Sequence, residues 1–350
     1  MAWKKITIKL SDGTTVQAQA PEIVSASRST DIPAFYADWF FDRLKIGYSA
    51  WTNPFNGVKS YVSYKDTRFI VFWSKNPHPL LKHLETMKEL GIKCYVQYSL
   101  NDYEEEGLEK GVPRLSFRID TFKELAEQLG IGGVVWRFDP LVLTDNISID
   151  DLLAKVEKIG NALHGYTEKL VFSFADIAIY KKVKRNLIND HVNYIEWTEE
   201  QMRYLANELV KLNEKWHYRL ATCAEKIDLP GVEHNKCIDD ELIIKRAWQD
   251  TELMKFLNVN IKLKQQDLFS PSANMPDGAI LLDSSHYAIR KKNNKDKGQR
   301  EFCGCIISKD IGQYNTCPHL CEYCYANTSK ETALRNYKSH IENPNKETII

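Results

Sequence analysis

The sequence predicts an α/β fold, a parallel partial TIM barrel of the (βα)6 type that is followed by a C-terminal cysteine-rich extension. Three observations predict it. Six short apolar runs recur along the chain, segments with helical periodicity lie between them, and most of the cysteines occur late. With 350 residues, the chain is long enough for one barrel-sized domain and a short appendage.

Six segments have the length and composition of buried strands. They are residues 22–27, 69–74, 93–99, 133–138, 169–174 and 217–223. Between them, apolar residues recur every three or four positions, as in the stripe of Phe122, Leu125 and Leu129. Strands that alternate with helices pair in parallel through right-handed crossovers, which is why a barrel or partial barrel is expected.

Two of the helices carry start signals. Ser148 with Asp151, and Thr198 with Gln201, have the spacing of a capping box, in which the two side chains bond each other's backbone N–H groups. Gly165 lies where the first of these helices should stop.

The chain is expected to divide into three parts: an N-terminal hairpin at 1–20, the partial barrel at 21–257, and the extension at 258–350. Within the extension, residues 258–300 are rich in Asn, Lys, Ser, Pro and Asp and are interpreted as a long connection. The last ten residues are expected to fray.

Charge and hydropathy narrow the class of protein. Lys+Arg and Asp+Glu number 47 each, whereas nucleic-acid-binding proteins usually carry a basic excess, so a nucleic-acid partner is disfavoured without being excluded. No apolar stretch has the length of a signal peptide or of a membrane span. We therefore expect a cytoplasmic protein with no membrane association, in which eight cysteines favour metal ligation over disulfides.

The most specific signal is the spacing of Cys317, Cys321 and Cys324. Three thiolates from one loop can ligate three irons of a cubane 4Fe-4S cluster and leave the fourth iron open. S-adenosylmethionine can chelate that iron through its amino and carboxylate groups. One electron from the cluster then breaks the sulfonium carbon–sulfur bond and yields a 5′-deoxyadenosyl radical.

This CxxxCxxC pattern, with the aromatic Tyr323 before the third cysteine, resembles the radical SAM superfamily. The resemblance implies that Tyr323 packs against the adenine of S-adenosylmethionine. Such an enzyme also needs an electron donor, such as flavodoxin or ferredoxin. The pattern does not indicate the substrate, which could be a small molecule or a macromolecule.

The wider sequence resembles an uncharacterised bacterial family known as domain of unknown function 1848. The segments that carry this resemblance are SRSTD at 27–31, WSKNP at 73–77, WRFDP at 136–140 and DIG at 310–312. Two features depart from most radical SAM enzymes. The cysteines follow all six strands instead of the first strand, and the segment from Ser74 to Asn76 replaces a Gly-Gly-Glu-type segment.

Parallel barrels place functional groups at the C-terminal ends of their strands. There the sequence offers four candidate cofactor-binding residues, Arg28, Ser99, Arg137 and Asp139. Arg137 could grip a carboxylate, and Asp139 could hold ribose hydroxyls or orient the arginine. An internal Arg137–Asp139 ion pair is the equal alternative. No catalytic residue is assigned.

Four further cysteines could form a second site: Cys223, Cys237, Cys303 and Cys305. Four thiolates are the number needed to ligate a second 4Fe-4S cluster fully or to hold one zinc ion. The alternative is that they are small buried hydrophobic residues, as Cys94 in the third strand is expected to be. For the whole chain, the competing function is a non-catalytic structural or redox module in which zinc or an iron–sulfur cluster holds the extension to the barrel.

Overall fold

The computed structural model describes residues 3–53, 56–223, 225–264 and 275–350. Its strands are β1 Lys5–Lys9, β2 Thr15–Gln19, β3 Ile23–Ala26, β4 Tyr48–Thr52, β5 Lys59–Ser63, β6 Phe69–Ser74, β7 Lys93–Ser99, β8 Val134–Leu141, β9 Leu143–Thr144, β10 Lys169–Phe174, β11 Tyr194–Ile195, β12 Arg219–Thr222, β13 Glu233–His234, β14 Val259–Leu263, β15 Ile280–Leu281, β16 His286–Arg290 and β17 Lys309–Asp310. Its helices are α1 Ile32–Phe35, α2 Ala37–Ile46, α3 Leu84–Glu89, α4 Leu115–Leu129, α5 Ile149–Leu163, α6 Lys181–Asn189, α7 Glu199–Asn213, α8 Asp240–Ala247, α9 Thr251–Phe256 and α10 Lys330–Glu342, with a 3-10 helix at His78–His83.

Eight strands form one parallel sheet in the order β13-β12-β10-β8-β7-β6-β3-β17. Each of the six predicted strands corresponds to one of its members, so the α/β prediction is confirmed. The two edge strands, β13 and β17, have two residues each. Within the described ranges the sheet stays open, because these two edges do not pair with each other.

The central strands are buried on both faces, which is why they read as continuous apolar runs. On one face, alternate residues such as Ile70 and Val96 pack against helices α2 to α7. On the other face, the intervening residues such as Val71 and Tyr95 pack against α8, α9 and the extension. The core therefore has two layers, one on each face of the sheet. The site described below lies at the C-terminal ends of the sheet's strands.

Both capping boxes are present. The Ser148 side chain accepts from the backbone N–H of Asp151 and the Asp151 carboxylate accepts from that of Ser148, at the start of α5. Thr198 and Gln201 make the same reciprocal pair at the start of α7. These predicted helix starts are confirmed.

The N-terminal hairpin of β1 and β2 is antiparallel, and it joins β5 and β4 in a four-stranded sheet. The interpretation of residues 258–300 as a long connection was wrong, because β14, β16 and β15 form an antiparallel sheet there. Val259, Ile261 and Leu263 alternate along β14, and the polar composition around them masked this strand pattern. Residues 265–274 lie outside the described part of the chain.

The C-terminal end is held in place instead of fraying. The backbone N–H of Ala50 donates to the carbonyl oxygen of Glu347 at 2.7 Å, and Trp39 Nε1 donates to that of Lys346 at 2.8 Å. Ile349 is buried against the main core. In the described residues, no helix is long and apolar enough to cross a membrane.

Candidate functional site

One cavity of about 590 Å³ lies at the C-terminal ends of the parallel strands. Its strand-end lining includes Lys75 after β6 and Ser173 in β10. It is also lined by every residue that the sequence singled out for cofactor or metal binding, namely Arg28, Ser99, Arg137, Asp139, Tyr323, Cys223, Cys237, Cys303, Cys305, Cys317, Cys321 and Cys324. The fold thus brings to one place residues that lie far apart in the sequence.

The extension reaches this cavity as an edge strand of the sheet. In β17, Lys309 lies opposite Val24 and Asp310 opposite Ser25 of β3. The Asp310 carboxylate accepts hydrogen bonds from Ser27 Oγ at 2.7 Å and from the backbone N–H of Arg28 at 3.0 Å. Because these contacts join residues 283 and 282 positions apart, they bring the segment that precedes the late cysteines to the end of β3.

Gly312, two residues after β17, allows this close approach. A Cβ atom at this position would lie 1.7 Å from Ser27 Oγ, a distance at which the two atoms would overlap. The backbone N–H of Gly312 also donates to Asp310 Oδ1 at 2.9 Å. Glycine is therefore required here by contact rather than by backbone conformation.

The loop between Cys317 and Cys321 is fastened by the buried side chain of His319. His319 Nε2 lies 2.8 Å from Asp31 Oδ2, and Nδ1 lies 3.1 Å from the carbonyl oxygen of Gly111. Asp31 also accepts from Ser74 Oγ at 2.7 Å. A Cβ at Gly111 would lie 2.5 Å from the carbonyl oxygen of Pro318, so a larger residue there would push the loop away.

Tyr323 is buried, and its hydroxyl group belongs to a network of charged and polar side chains. It donates to Glu109 and accepts from Lys75 Nζ at 2.8 Å and from Asn101 Nδ2 at 3.0 Å. Burial would raise the pKa of Glu109, but the charges of Lys75 and Arg118 outweigh it and lower that pKa to about 2. The network fixes the Tyr323 ring at the cavity wall, and its contact with adenine stays a prediction.

Arg137 is buried and bonds the protein through each of its three nitrogen atoms. Nε lies 3.1 Å from Asp139 Oδ2, and Nη2 contacts the same oxygen. Nη1 donates to Gln97 Oε1 at 3.2 Å and to Cys237 Sγ at 3.3 Å. The other Asp139 oxygen accepts from Ser173. The internal Arg137–Asp139 ion pair, one of the two alternatives from the sequence, is thus present.

Arg28 is held differently. Its guanidinium group lies over the Trp73 ring, 5.3 Å from the centroid. Its Nη2 atom is buried and has no hydrogen-bond partner among the described residues. A buried guanidinium donor without an acceptor is costly, so this atom is a natural contact for an anionic group of a bound molecule.

The four other cysteines meet at the wall of the same cavity. Cys223 Sγ lies 3.4 Å from Cys237 Sγ. Cys305 Sγ accepts from the backbone N–H groups of Cys237 at 3.2 Å and Ile238 at 3.4 Å. Cys303, two residues before Cys305, lines the same cavity. Cys94, by contrast, is buried in β7 against the helices, away from the cavity.

Residues 23–326 match the sequence model of a family described as Domain of unknown function (DUF1848). The chain belongs to this family. In this DUF1848 member the match begins with β3 and ends two residues beyond Cys324, so it includes the whole eight-stranded sheet and all seven cavity cysteines. No curated protein and no solved structure matches the chain.

The three-cysteine loop of this DUF1848 chain fits an iron–sulfur cluster by its donor chemistry. Thiolates are the ligands that such clusters take, and burial raises the pKa of all three thiols, so ligation must release their protons. Across the described residues, no three His, Cys, Asp or Glu side chains are arranged to hold a single ion as they stand. A cubane cluster is larger than one ion, so its ligand sulfurs stand farther apart, at about 6–7 Å. The arrangement that a single ion needs is therefore not the one that a cubane cluster needs.

Several residues that build the site were not found from the sequence. Asp31, Asn101, Glu109 and His319 position the cysteine loop, and Asp310 fixes the extension. Their partners lie up to 288 positions away, and no local pattern predicts such pairs. The one available signal was that Asp31 and Asp310 fall in segments that carry the family resemblance.

Proposed function

We propose that this DUF1848 protein is a radical S-adenosylmethionine enzyme that acts on a substrate still to be assigned. The observation that carries the proposal is the position of the Cys317, Cys321 and Cys324 loop. It lines a cavity at the C-terminal ends of parallel strands, the end at which enzymes of this architecture carry their active sites. A cysteine loop that held only a structural metal ion would not need to line such a cavity.

Cys317, Cys321 and Cys324 would hold a 4Fe-4S cluster, which supplies an open iron and the electron for reductive cleavage of S-adenosylmethionine. Tyr323 offers a ring held rigidly at the wall, suited to stack on a planar base. Arg28 offers a buried donor for a carboxylate. Arg137 already forms an ion pair with Asp139. This pair favours a role for Arg137 in orienting the Asp139 carboxylate over direct binding of a ligand.

The proposal includes the partial TIM barrel. Strands β3, β6, β7, β8, β10 and β12 are neighbours in chain order, and the helices between them pack on one face. A barrel is wound in this way, whereas the strand order reverses in a doubly wound sheet. The electron would come from a small one-electron donor of the flavodoxin or ferredoxin type in the cytoplasm.

Anaerobic reconstitution tests the function. The protein is loaded with iron and sulfide, reduced with dithionite and incubated with S-adenosylmethionine, and 5′-deoxyadenosine is measured. We expect cleavage by the wild type and by Cys94→Ala, the control for a buried cysteine outside the cavity. We expect none from Cys321→Ala, together with a loss of about four irons per chain.

A different result would favour the competing function. If the wild type retains zinc in the loop at 317–324 and forms no 5′-deoxyadenosine, the chain is a non-catalytic metal-binding module. Cleavage that persists at the wild-type rate in Cys321→Ala would also contradict the assignment of the cysteine loop.

A further inference from the structure

Cys223, Cys237, Cys303 and Cys305 form a second group of thiols, separate from the loop at 317–324. Cys223 follows β12 and Cys237 precedes α8, whereas Cys303 and Cys305 belong to the extension. Cys223 Sγ and Cys237 Sγ are 3.4 Å apart, and Cys305 Sγ lies 3.2 Å from the backbone nitrogen of Cys237. The four thiols thus form one cluster of cysteines in the lining of the cavity, with Cys223 and Cys237 in direct contact.

The period of the strands explains why Cys223 faces this cluster. Side chains two residues apart in a strand point to the same face. Cys223 follows Ala221 at this interval, as Arg137 follows Val135, and both Ala221 and Val135 pack on the face covered by α8 and the extension. The Cys237 loop and the extension meet the ends of the strands on that same face.

The cluster is surrounded by donors that stabilise thiolates. Cys305 Sγ accepts from two backbone N–H groups, those of Cys237 and Ile238. Cys237 Sγ lies 3.3 Å from Arg137 Nη1 and 3.2 Å from Asn235 Nδ2, and both donor residues are buried. The positive charge of Arg137 and these oriented N–H groups stabilise a negatively charged thiolate more strongly than a neutral thiol.

We propose that these four cysteines hold one divalent ion, Zn²⁺, in tetrahedral thiolate coordination. The inference goes beyond the proposed function and does not depend on it. With Zn–S distances of about 2.3 Å, ligand sulfurs stand about 3.8 Å apart. The 3.4 Å between Cys223 and Cys237 is close to that value and far below the roughly 6–7 Å between the ligands of a cubane cluster.

Four protein ligands leave no open coordination position, which is the property of a structural zinc site. Two ligands come from the strand side of the cavity and two from the extension, so the ion would join the extension to the cavity wall. The described side chains do not yet surround a common point. Ligation therefore requires the Cys303 and Cys305 thiols to rotate between staggered positions towards the Cys223–Cys237 pair, and all four thiols to release their protons.

Metal analysis of the protein, expressed with zinc and iron and purified without oxygen, tests the proposal. We expect about one zinc per chain in the wild type, in Cys94→Ser and in Cys321→Ser. We expect no zinc in Cys305→Ser, with the iron content unchanged. The two cysteine-to-serine controls separate this site from the general loss of a buried thiol and from the iron centre of the proposed function.

Two results would overturn the inference: no zinc in the wild type, or eight irons per chain that fall to four in Cys305→Ser. If Cys305→Ser does not fold, iodoacetamide labelling of the wild type decides. The four thiols should become alkylated only after zinc is removed with a chelator. Equal labelling with and without the chelator would contradict a zinc site.

Discussion

Glu109 is a buried carboxylate between two cations, and it links Tyr323 of the cysteine loop to the strand ends. Its side chain is 2% exposed, that of Lys75 is 15% exposed and that of Arg118 is fully buried. The Lys75 ammonium group is 2.7 Å from Glu109 Oε1, and an Arg118 nitrogen is 3.6 Å from Oε2. Removing the carboxylate would leave Lys75 without its ion-pair partner and the buried Arg118 with only the more distant Glu104, at 3.9 Å, which is costly.

We expect Glu109→Ala to lower the free energy of unfolding by about 3–5 kcal/mol. Glu85→Ala is the matched control, because Glu85 pairs with Lys88 at 3.0 Å on the exposed surface of α3. It should cost less than about 0.5 kcal/mol. Urea denaturation of both variants measures the difference. Equal costs would show that the buried network does not hold the loop.

The stabilising effect of Glu109 should also depend on pH. Its pKa is lowered from 4.5 to about 2 in the folded protein, so the stabilisation is fully present above about pH 4.5 and is lost as pH falls towards 2. The difference in unfolding free energy between the wild type and Glu109→Gln should therefore shrink below pH 4.5. Urea denaturation at pH 7, 5, 4 and 3.5 measures it; a difference that stays constant would contradict the assignment.

At the scale of elements, the strands and helices that the sequence predicted are those with a strong local signal. The six apolar runs and the two capping boxes each fall within a few residues. The element that positions the cysteine loop, β17, was not found because two residues cannot show a periodicity. Its partner strand β3 lies almost 300 positions earlier, and only the folded chain shows that they pair.

Gly312→Ala tests this attachment of the extension. The added methyl group would overlap Ser27 Oγ and push β17 from β3, a crowding that typically costs about 1–3 kcal/mol. We expect reduced iron retention after reconstitution and faster proteolysis of residues 300–326. Gly298→Ala is the control, because its Cβ would meet Asp296 at an ordinary 3.4 Å. Iron retention at the wild-type level in Gly312→Ala would contradict the expectation.

At the scale of the whole molecule, the chain covers the two faces of its sheet in succession. Helices α2 to α7 cover one face as the strands are added, and α8, α9 and the extension then cover the other. The covering of the first face was predicted from the alternation of strands and helices in the sequence. The covering of the other face could not be predicted from the sequence, because the segments that form it are short, partly polar and irregular. Their positions depend on long-range contacts.

The C-terminal residues complete this packing on the helical side. Removal of residues 344–350 would expose part of the core around Ile349 and leave Trp39 Nε1 without its acceptor on Lys346. We expect the free energy of unfolding to fall by roughly 2–4 kcal/mol. Lys346→Ala is the control, since it keeps the backbone carbonyl that Trp39 bonds. Urea denaturation compares them, and a truncation as stable as Lys346→Ala would contradict the prediction.

The edge position of β17 also has a consequence for biosynthesis. During translation, Cys317, Cys321 and Cys324 leave the ribosome after all six central strands. Their loop acquires its buried surroundings only when β17 pairs with β3 and His319 meets Asp31. If this loop holds the proposed cluster, assembly of that cluster is therefore a late event in the life of the polypeptide. A nascent chain that stalls before residue 309 would present the uncovered edge of β3 to chaperones and proteases, and it would lack the three cysteines that are proposed to bind iron.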